Sequence, residues 1–254
     1  MKRLLSYRVA NLQGQGAREY QEDSFAFANA LDVTLIKRKG LLAVVADGMG
    51  GMEGGRRSGE LTVRTLLNDF EKMDTDGDVG RQLEESAMHA SKEVNAEIGG
   101  RGGCTLAAGI IFRELFHFVS VGDSYIWLFR NGELIRLNEE HNKKSEIYLD
   151  CINDGDLDPE KGRSHFEANA LTRFIGMDGL DTTDRTRRGI PLKAGDTLVL
   201  CSDGVGGVLS EVETISCLSG KSADNVCLTI DGLIKKKNLK HQDNYTALVI
   251  QCGY

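Results

Sequence analysis

Apolar residues recur at Val79, Leu83, Ala87, Ala90, Val94 and Ile98, stepping by four, four, three, four and four. That spacing tracks the turn of an α-helix and predicts one with a single buried stripe. A second helix is predicted over 56–70, burying Leu61, Leu66, Leu67 and Phe70. A third begins at Ser222, whose hydroxyl suits an N-cap, and turns Val226, Ile230 and Leu233 inward. Between them lie short β-rich runs at 24–28, 41–46, 105–112, 116–121, 125–129, 133–137, 197–202 and 246–251. Arg130-Asn131-Gly132-Glu133 reads as a hairpin turn, because Asn-Gly tolerates the positive φ such turns need.

Tight turns join several strands and the helices fall in separate blocks. This is the pattern of antiparallel sheet packed against helices, an α+β chain, rather than of alternating βαβ units. The stretch 143–188 is polar and weakly periodic, with Asn153-Asp154-Gly155-Asp156 as a turn. It reads as a flap-like surface excursion from a single domain spanning 1–254. At 254 residues the chain is long enough to bury a core without staples.

Charge and composition narrow the function classes. A net charge of −7 argues against nucleic acid and anionic membranes as partners. The run Lys235-Lys236-Lys237 reads as a solvated helix end. No window approaches 18 apolar residues, and the N-terminal MKRLLSYRVANLQGQG lacks the apolar stretch of a signal peptide. Six cysteines without a C-x-x-C pair read as reduced and buried, the usage of a cytoplasmic protein. The default expectation is a monomer.

The chemistry lies in where acids fall relative to strands. One run ends in Asp47-Gly48-Met49-Gly50-Gly51, another in Gly122-Asp123-Ser124, a third in Asp203-Gly204. Asp23 and Asp243 precede strands. If 24–28 pairs antiparallel with 41–46, and 246–251 with 197–202, each strand start lies beside its partner's end. Asp23 then meets Asp47, and Asp243 meets Asp203. Carboxylates so gathered repel one another unless a cation neutralises them. Oxygen-only ligands select hard cations such as Mg²⁺ or Mn²⁺. A lone Asp-Gly after a strand is, about nine times in ten, only a turn; the argument rests on recurrence at compatible strand ends.

Rival chemistries fail on spacing. No cysteine has an arginine six residues on, as a cysteine-dependent phosphatase needs; Cys201 has Gly207 there. Ser219-Gly220-Lys221-Ser222 lacks the first P-loop glycine, since position 215 is Ile. Asp154, Asp156 and Asp158 mimic a calcium loop, but Pro159 stands where its glycine belongs. The five histidines show no zinc spacing. His241, two residues before Asp243, reads as a neighbour of the site rather than a ligand.

Taken in order, the motifs resemble the metal-dependent serine/threonine protein phosphatases of type 2C, in their bacterial form. They are Arg18-x-x-x-Glu22-Asp23-Ser24, Val45-Ala46-Asp47-Gly48-Met49-Gly50-Gly51, Gly103-Cys104-Thr105-Leu106 and Val121-Gly122-Asp123-Ser124. Leu171-Thr172-Arg173-Phe174-Ile175-Gly176, Cys201-Ser202-Asp203-Gly204-Val205 and Asp243-Asn244-Tyr245-Thr246 complete the set. The resemblance implies a four-layer α-β-β-α sandwich and two Mn²⁺ or Mg²⁺ per active site. It implies that Asp47 bridges both metals, that Asp203 and Asp243 complete the first site, and that the Gly48 carbonyl completes the second. Glu22 or Asp23 would contribute directly or through water, and Arg18 would grip the substrate phosphate. A metal-bridging hydroxide would then hydrolyse phosphoserine and phosphothreonine in proteins, opposing a cognate kinase.

Two departures stand out. Met49 occupies the place where some eukaryotic members carry a histidine proposed to protonate the leaving group, so water would deliver that proton. Gly207 stands where the family often has a second acid, which deprives Asp123 of a partner for the third metal of bacterial members. The alternative reading is a catalytically silent relative that binds phosphoproteins; such proteins usually lose a metal-binding Asp, and Asp47, Asp203 and Asp243 are all present. A phosphatase specialised for one small regulatory protein is a third reading, with no sensor domain in the chain to support it.

Overall fold

The computed structural model describes residues 4–254, the side chains of residues 52 and 53 excepted. The first half runs β1 (Ser6–Gly14), β2 (Ser24–Ala28), α1 (Val33–Lys39), β3 (Leu41–Ala46), β4 (Gly48–Met49), α2 (Met52–Lys72), α3 (Val79–Ile98), β5 (Gly103–Cys104), β6 (Leu106–Phe112), β7 (Leu115–Val121), β8 (Tyr125–Arg130) and β9 (Glu133–Arg136). Then follow α4 (Lys143–Asn153), α5 (Glu160–Arg163), β10 (Asp184–Arg185), β11 (Ile190–Pro191), β12 (Thr197–Cys201), α6 (Asp203–Gly206), α7 (Glu211–Leu218), α8 (Ala223–Lys237) and β13 (Tyr245–Gly253).

Two antiparallel sheets stack face to face. One has the order β1-β13-β12-β8-β9, the other β10-β7-β6-β3-β2 with β11 also against β7. Strand alternation sorts the side chains into three apolar layers. Along β3, Leu41, Ala43 and Val45 face the opposite sheet, where they meet Leu198, Leu248 and Ile250. Leu42, Val44 and Ala46 face the other way, against Leu61, Leu66 and Phe70 of α2 and Leu83 and Ala87 of α3. On the far side Ala247 and Val249 of β13 pack on Val226 and Ile230 of α8. The order is therefore helices, sheet, sheet, helices.

Both inferred strand pairings are present. Ser24 lies opposite Ala46, and Cys201 opposite Ala247. Several elements depart from the sequence reading. α2 outruns 56–70 at both ends, and Leu67 is only half-buried. On α8 Leu233 is half-buried against the core, and Ile234 beside it is buried. Strand β1 went unread because SYRVANLQG is an edge strand whose only buried residue is Ala10. The excursion also ends before 188: Ile175 is buried and bridged to Cys104, and β10 pairs with β7. Five cysteines are buried and Cys151 half-buried, all as free thiols. Among the described residues, no helix is long and apolar enough to cross a membrane.

Phe116 is fully buried between the sheets. Phe116→Ala should destabilise the protein by about 3–5 kcal/mol through lost burial and a cavity that closes only in part. Urea titration would read this as a lowered midpoint at unchanged slope; a loss under 1 kcal/mol would place the structural weight elsewhere.

Candidate active site

The ends of the central strands deliver the acids to one place. Asp47 follows β3 directly, where the chain leaves the sheet for the short β4–β5 ribbon. Its amide donates to Thr105 Oγ1 at 3.2 Å, and its carbonyl accepts from the Thr105 amide at 2.8 Å. Thr105 Oγ1 in turn bonds Ser124 Oγ at 2.7 Å. One threonine thus ties the Asp47 turn to the Gly122-Asp123-Ser124 turn. From the other sheet, Ser202 Oγ donates to Asp23 Oδ2 at 2.8 Å and accepts from the Thr246 amide at 3.0 Å. Ser202 therefore fastens the end of one sheet to the start of a strand in the other.

Two glycines permit this closeness. A Cβ on Gly48 would stand 2.4 Å from the Gly55 carbonyl oxygen and 2.6 Å from that of Glu22. A Cβ on Gly204 would fall 1.9 Å from the Asn244 carbonyl oxygen. Any side chain at either position would push apart the segments that carry the acids.

Asp47 sits at the centre, its carboxyl within hydrogen-bonding reach of both Asp23 and Asp203. Burial, reinforced by Asp23 and Asp203, lifts the Asp47 carboxyl well above the usual carboxylate range. Burial pushes Asp23 up to about 6, opposed by its hydrogen bonds to Thr246 and Ser202. Asp203 is raised by burial and by Asp243, and Glu22 by burial. Asp243 Oδ2 accepts from Arg18 Nη2 at 2.5 Å, and that bond raises the arginine in turn. The Arg18 side chain is otherwise open to solvent at the mouth of the cluster.

Do these residues suit a divalent cation? Among the described residues, no three acid, histidine or cysteine side chains stand in a ready-made ligand arrangement. The donor chemistry nevertheless fits. Glu22 Oε1, Asp23 Oδ1 and Asp203 Oδ1 are buried without a hydrogen-bond partner. Orphaned buried carboxylate oxygens carry a free-energy cost that a hard cation would remove.

Asp123 stands apart, on the wall of a 440 Å³ cavity that it shares with Asp203, Asp243, Gly207 and His241. Burial, then Asp203 and Glu140, push its carboxyl up to about 7. Gly207 places no side chain there. Glu140 also lines the cavity, but its carboxylate is engaged by Arg136, Lys144 and Asn142. It is not a free substitute for the missing acid.

Several contributors escaped the sequence reading. Thr105 and Ser202 lay inside recognised motifs, yet only the fold shows them bridging separate segments. Arg136 stacks on Tyr125 at 3.9 Å and points its guanidinium at the Asp123 and Ser124 carbonyls. His141 accepts from the Gly122 amide through Nδ1 at 3.1 Å and donates its own amide to the Gly122 carbonyl. Burial, followed by Arg173, lowers its imidazole to about 4, so it braces the Asp123 turn as a neutral ring. Asn244 was quoted in its motif without a role.

An acid-lined cleft at the ends of two stacked antiparallel sheets, with an arginine at its mouth, defines a metal-dependent phosphohydrolase. A family model described as protein phosphatase 2C matches residues 19–251. The serine/threonine phosphatase stp of Listeria monocytogenes is 32% identical over 221 residues, covering 83% of this chain and 84% of its own. The S. agalactiae serine/threonine phosphatase superposes with a TM-score of 0.78 at 25% identity, covering 97% of this chain and 99% of its own. The PstP catalytic domain in complex with two manganese ions shares the fold, with a TM-score of 0.77 at 23% identity over 98% of this chain and 100% of its own. The chain belongs to the protein phosphatase 2C family.

The raised carboxyls fix the sign of a pH effect. Asp23 at about 6 and Asp123 at about 7 hold protons in the fold that an unfolded Asp, near 3.9, has released. The cation-free fold should therefore lose stability as pH rises from about 4 to 7. Asp47→Asn replaces a carboxyl whose ionisation the fold disfavours by a neutral amide, so it should flatten that slope and raise stability at pH 7 by on the order of 1 kcal/mol. Thermal melts in EDTA across pH would show parallel curves if the cluster carries no such repulsion. Added Mn²⁺ should raise the Tm of the wild type and not of the variant.

Proposed function

We propose that the chain removes phosphate from phosphoserine and phosphothreonine in proteins, using two Mn²⁺ or Mg²⁺ held by the acids at the sheet ends. The observation that carries this reading is the trio of orphaned carboxylate oxygens on Glu22, Asp23 and Asp203, the two aspartates beside Asp47 and the glutamate beside Arg18 and Asp243. Asp47, Asp203 and Asp243 would hold the cations, with the Gly48 carbonyl and with Glu22 or Asp23. Asp23 is the more enclosed of that last pair, one oxygen already committed to Ser202. The bound cations would supply activated water at neutral pH and offset charge on the phosphoryl group. Arg18 is a planar cation at the mouth of the acid cluster, suited to hold the phosphate in two-pronged fashion.

Asp123 with Gly207 argues against a full third site. The substrate would be a phosphoprotein made by a cognate kinase, and the enzyme a cytoplasmic monomer.

A phosphothreonine peptide and p-nitrophenyl phosphate should both be hydrolysed with Mn²⁺ or Mg²⁺ and not in EDTA. A folded protein silent with every metal would leave the phosphoprotein-binding reading. Asp203→Asn should abolish turnover. Arg18→Ala should raise KM for the peptide about tenfold or more, the worth of a charge-assisted hydrogen bond, while Mn²⁺ affinity changes little. An unchanged KM would remove Arg18 from phosphate binding.

A further inference from the structure

Asn244 follows Asp243 at the start of β13 and is 4% exposed. Its side-chain amide is satisfied entirely by one loop far away in sequence. Asn244 Oδ1 accepts from the Glu22 amide at 2.8 Å. Asn244 Nδ2 donates to the Gln15 carbonyl at 2.8 Å and the Tyr20 carbonyl at 3.0 Å. Only one amide orientation fits, because both donors meet carbonyls and the acceptor meets an N–H. The backbone amide of the same residue donates to Asp243 Oδ1 at 2.8 Å.

The clamped loop carries Arg18 and Glu22. It has no strand or helix between Gly14 and Ser24 to hold it. Its other ties to the body are the Ala17 amide to the Gln242 carbonyl, Arg18 to Asp243, Gln21 Nε2 to the Gly14 carbonyl and, at its far end, Asp23 to Ser202 and Gln13; bonds such as Gln15 Nε2 to the Arg18 and Glu19 carbonyls, at 2.8 and 3.0 Å, are internal. The internal bonds shape the loop; Ser202 and Gln13 fix its end at Asp23, and Asn244, with three bonds to Gln15, Tyr20 and Glu22, docks the stretch on either side of Arg18. Arg18 can meet a phosphate above Asp243 only if the loop is held to within a fraction of an ångström, since a displacement near 1 Å costs roughly 100-fold in rate.

We propose that Asn244 is a positioning residue for substrate capture, acting through the loop that presents Arg18 and Glu22 to the acid cluster. This rests on the phosphatase reading above. Asn244→Asp keeps the acceptor for Glu22 and loses both donors, setting a carboxylate oxygen against two buried carbonyls. It should raise both KM for the phosphothreonine peptide and Ki for inorganic phosphate about tenfold, with a smaller fall in kcat. The deciding comparison repeats the substitution in an Arg18→Ala background. If Asn244 acts through Arg18, the second change there alters KM and Ki by less than about twofold. A merely structural asparagine would lower Tm and act equally in both backgrounds, and that result overturns the proposal.

Asn244→Ser is the second variant should the aspartate fail to fold. Amide hydrogen exchange on the wild type gives an independent measure: the Glu22 amide should be protected by about 100-fold or more, and exchange at the rate of an open loop would refute the clamp. Wild-type enzyme that turns the peptide over, beside variants whose effects multiply, sinks this inference alone. A wild type with no turnover sinks the phosphatase reading and this inference with it.

Discussion

The interaction on which the site depends is the contact of Ser202 with Asp23 and with the Thr246 amide. Two stacked sheets make a stable body by burying apolar faces, and nothing in that burial requires their strand ends to align. Here the hydroxyl of one serine fixes the end of β12 against the residue that opens β2. Asp203 is the next residue after Ser202, and Asp47 lies beside Asp23 through the β2–β3 register. The polar bond therefore sets how closely like charges approach, while the hydrophobic layers supply the rigidity to keep them there.

That arrangement works against the stability of the fold around it. Asp23, Asp47, Asp123 and Asp203 are all shifted upward chiefly because they are buried. A protein selected for stability alone would place apolar or amide side chains there. The apolar layers on both sides of β3 and β13 are deep enough to tolerate the strain. The carboxyls are thus gathered and largely shielded from water, though not in a ready-made ligand arrangement, and a cation that bound them would displace the protons that burial favours.

Much of this was legible in the sequence because period and position carry it. Short β-rich runs at 41–46 and 246–251 marked strands, and the convergence of the acids at their ends followed from antiparallel pairing. What was not legible depends on partners remote in sequence. Strand β1 alternates only at partial depth, with Tyr7, Val9 and Leu12 half-buried about the one buried residue Ala10, so its signal is weaker than that of the central strands. Ile234 joins Leu233 against the core because the buried stripe of a helix is wide enough to take two adjacent residues. Thr105, Arg136 and His141 act through backbone groups of the Asp47 and Asp123 turns, and no spacing rule announces a side chain that bonds to a remote main chain. Asn244 belongs with them: its motif was visible, but its three partners lie more than 220 positions away.

The two flanks of the cluster differ in a way that bears on chemistry. On the Arg18 side, the loop is pinned by Asn244 and Gln242, and its ion pair reaches Asp243. On the Asp123 side, Gly207 leaves open space, and the acid nearby, Glu140, is neutralised by Arg136 and Lys144. Lys144 belongs to α4, so that helix contributes a cation to the same wall as Asp123. A cation at Asp123 would have to compete with that ammonium and find its other ligands among water. The acid cluster is therefore held closely on the Arg18 side, where Asn244 ties the loop, and left open on the Asp123 side, where Gly207 adds no side chain.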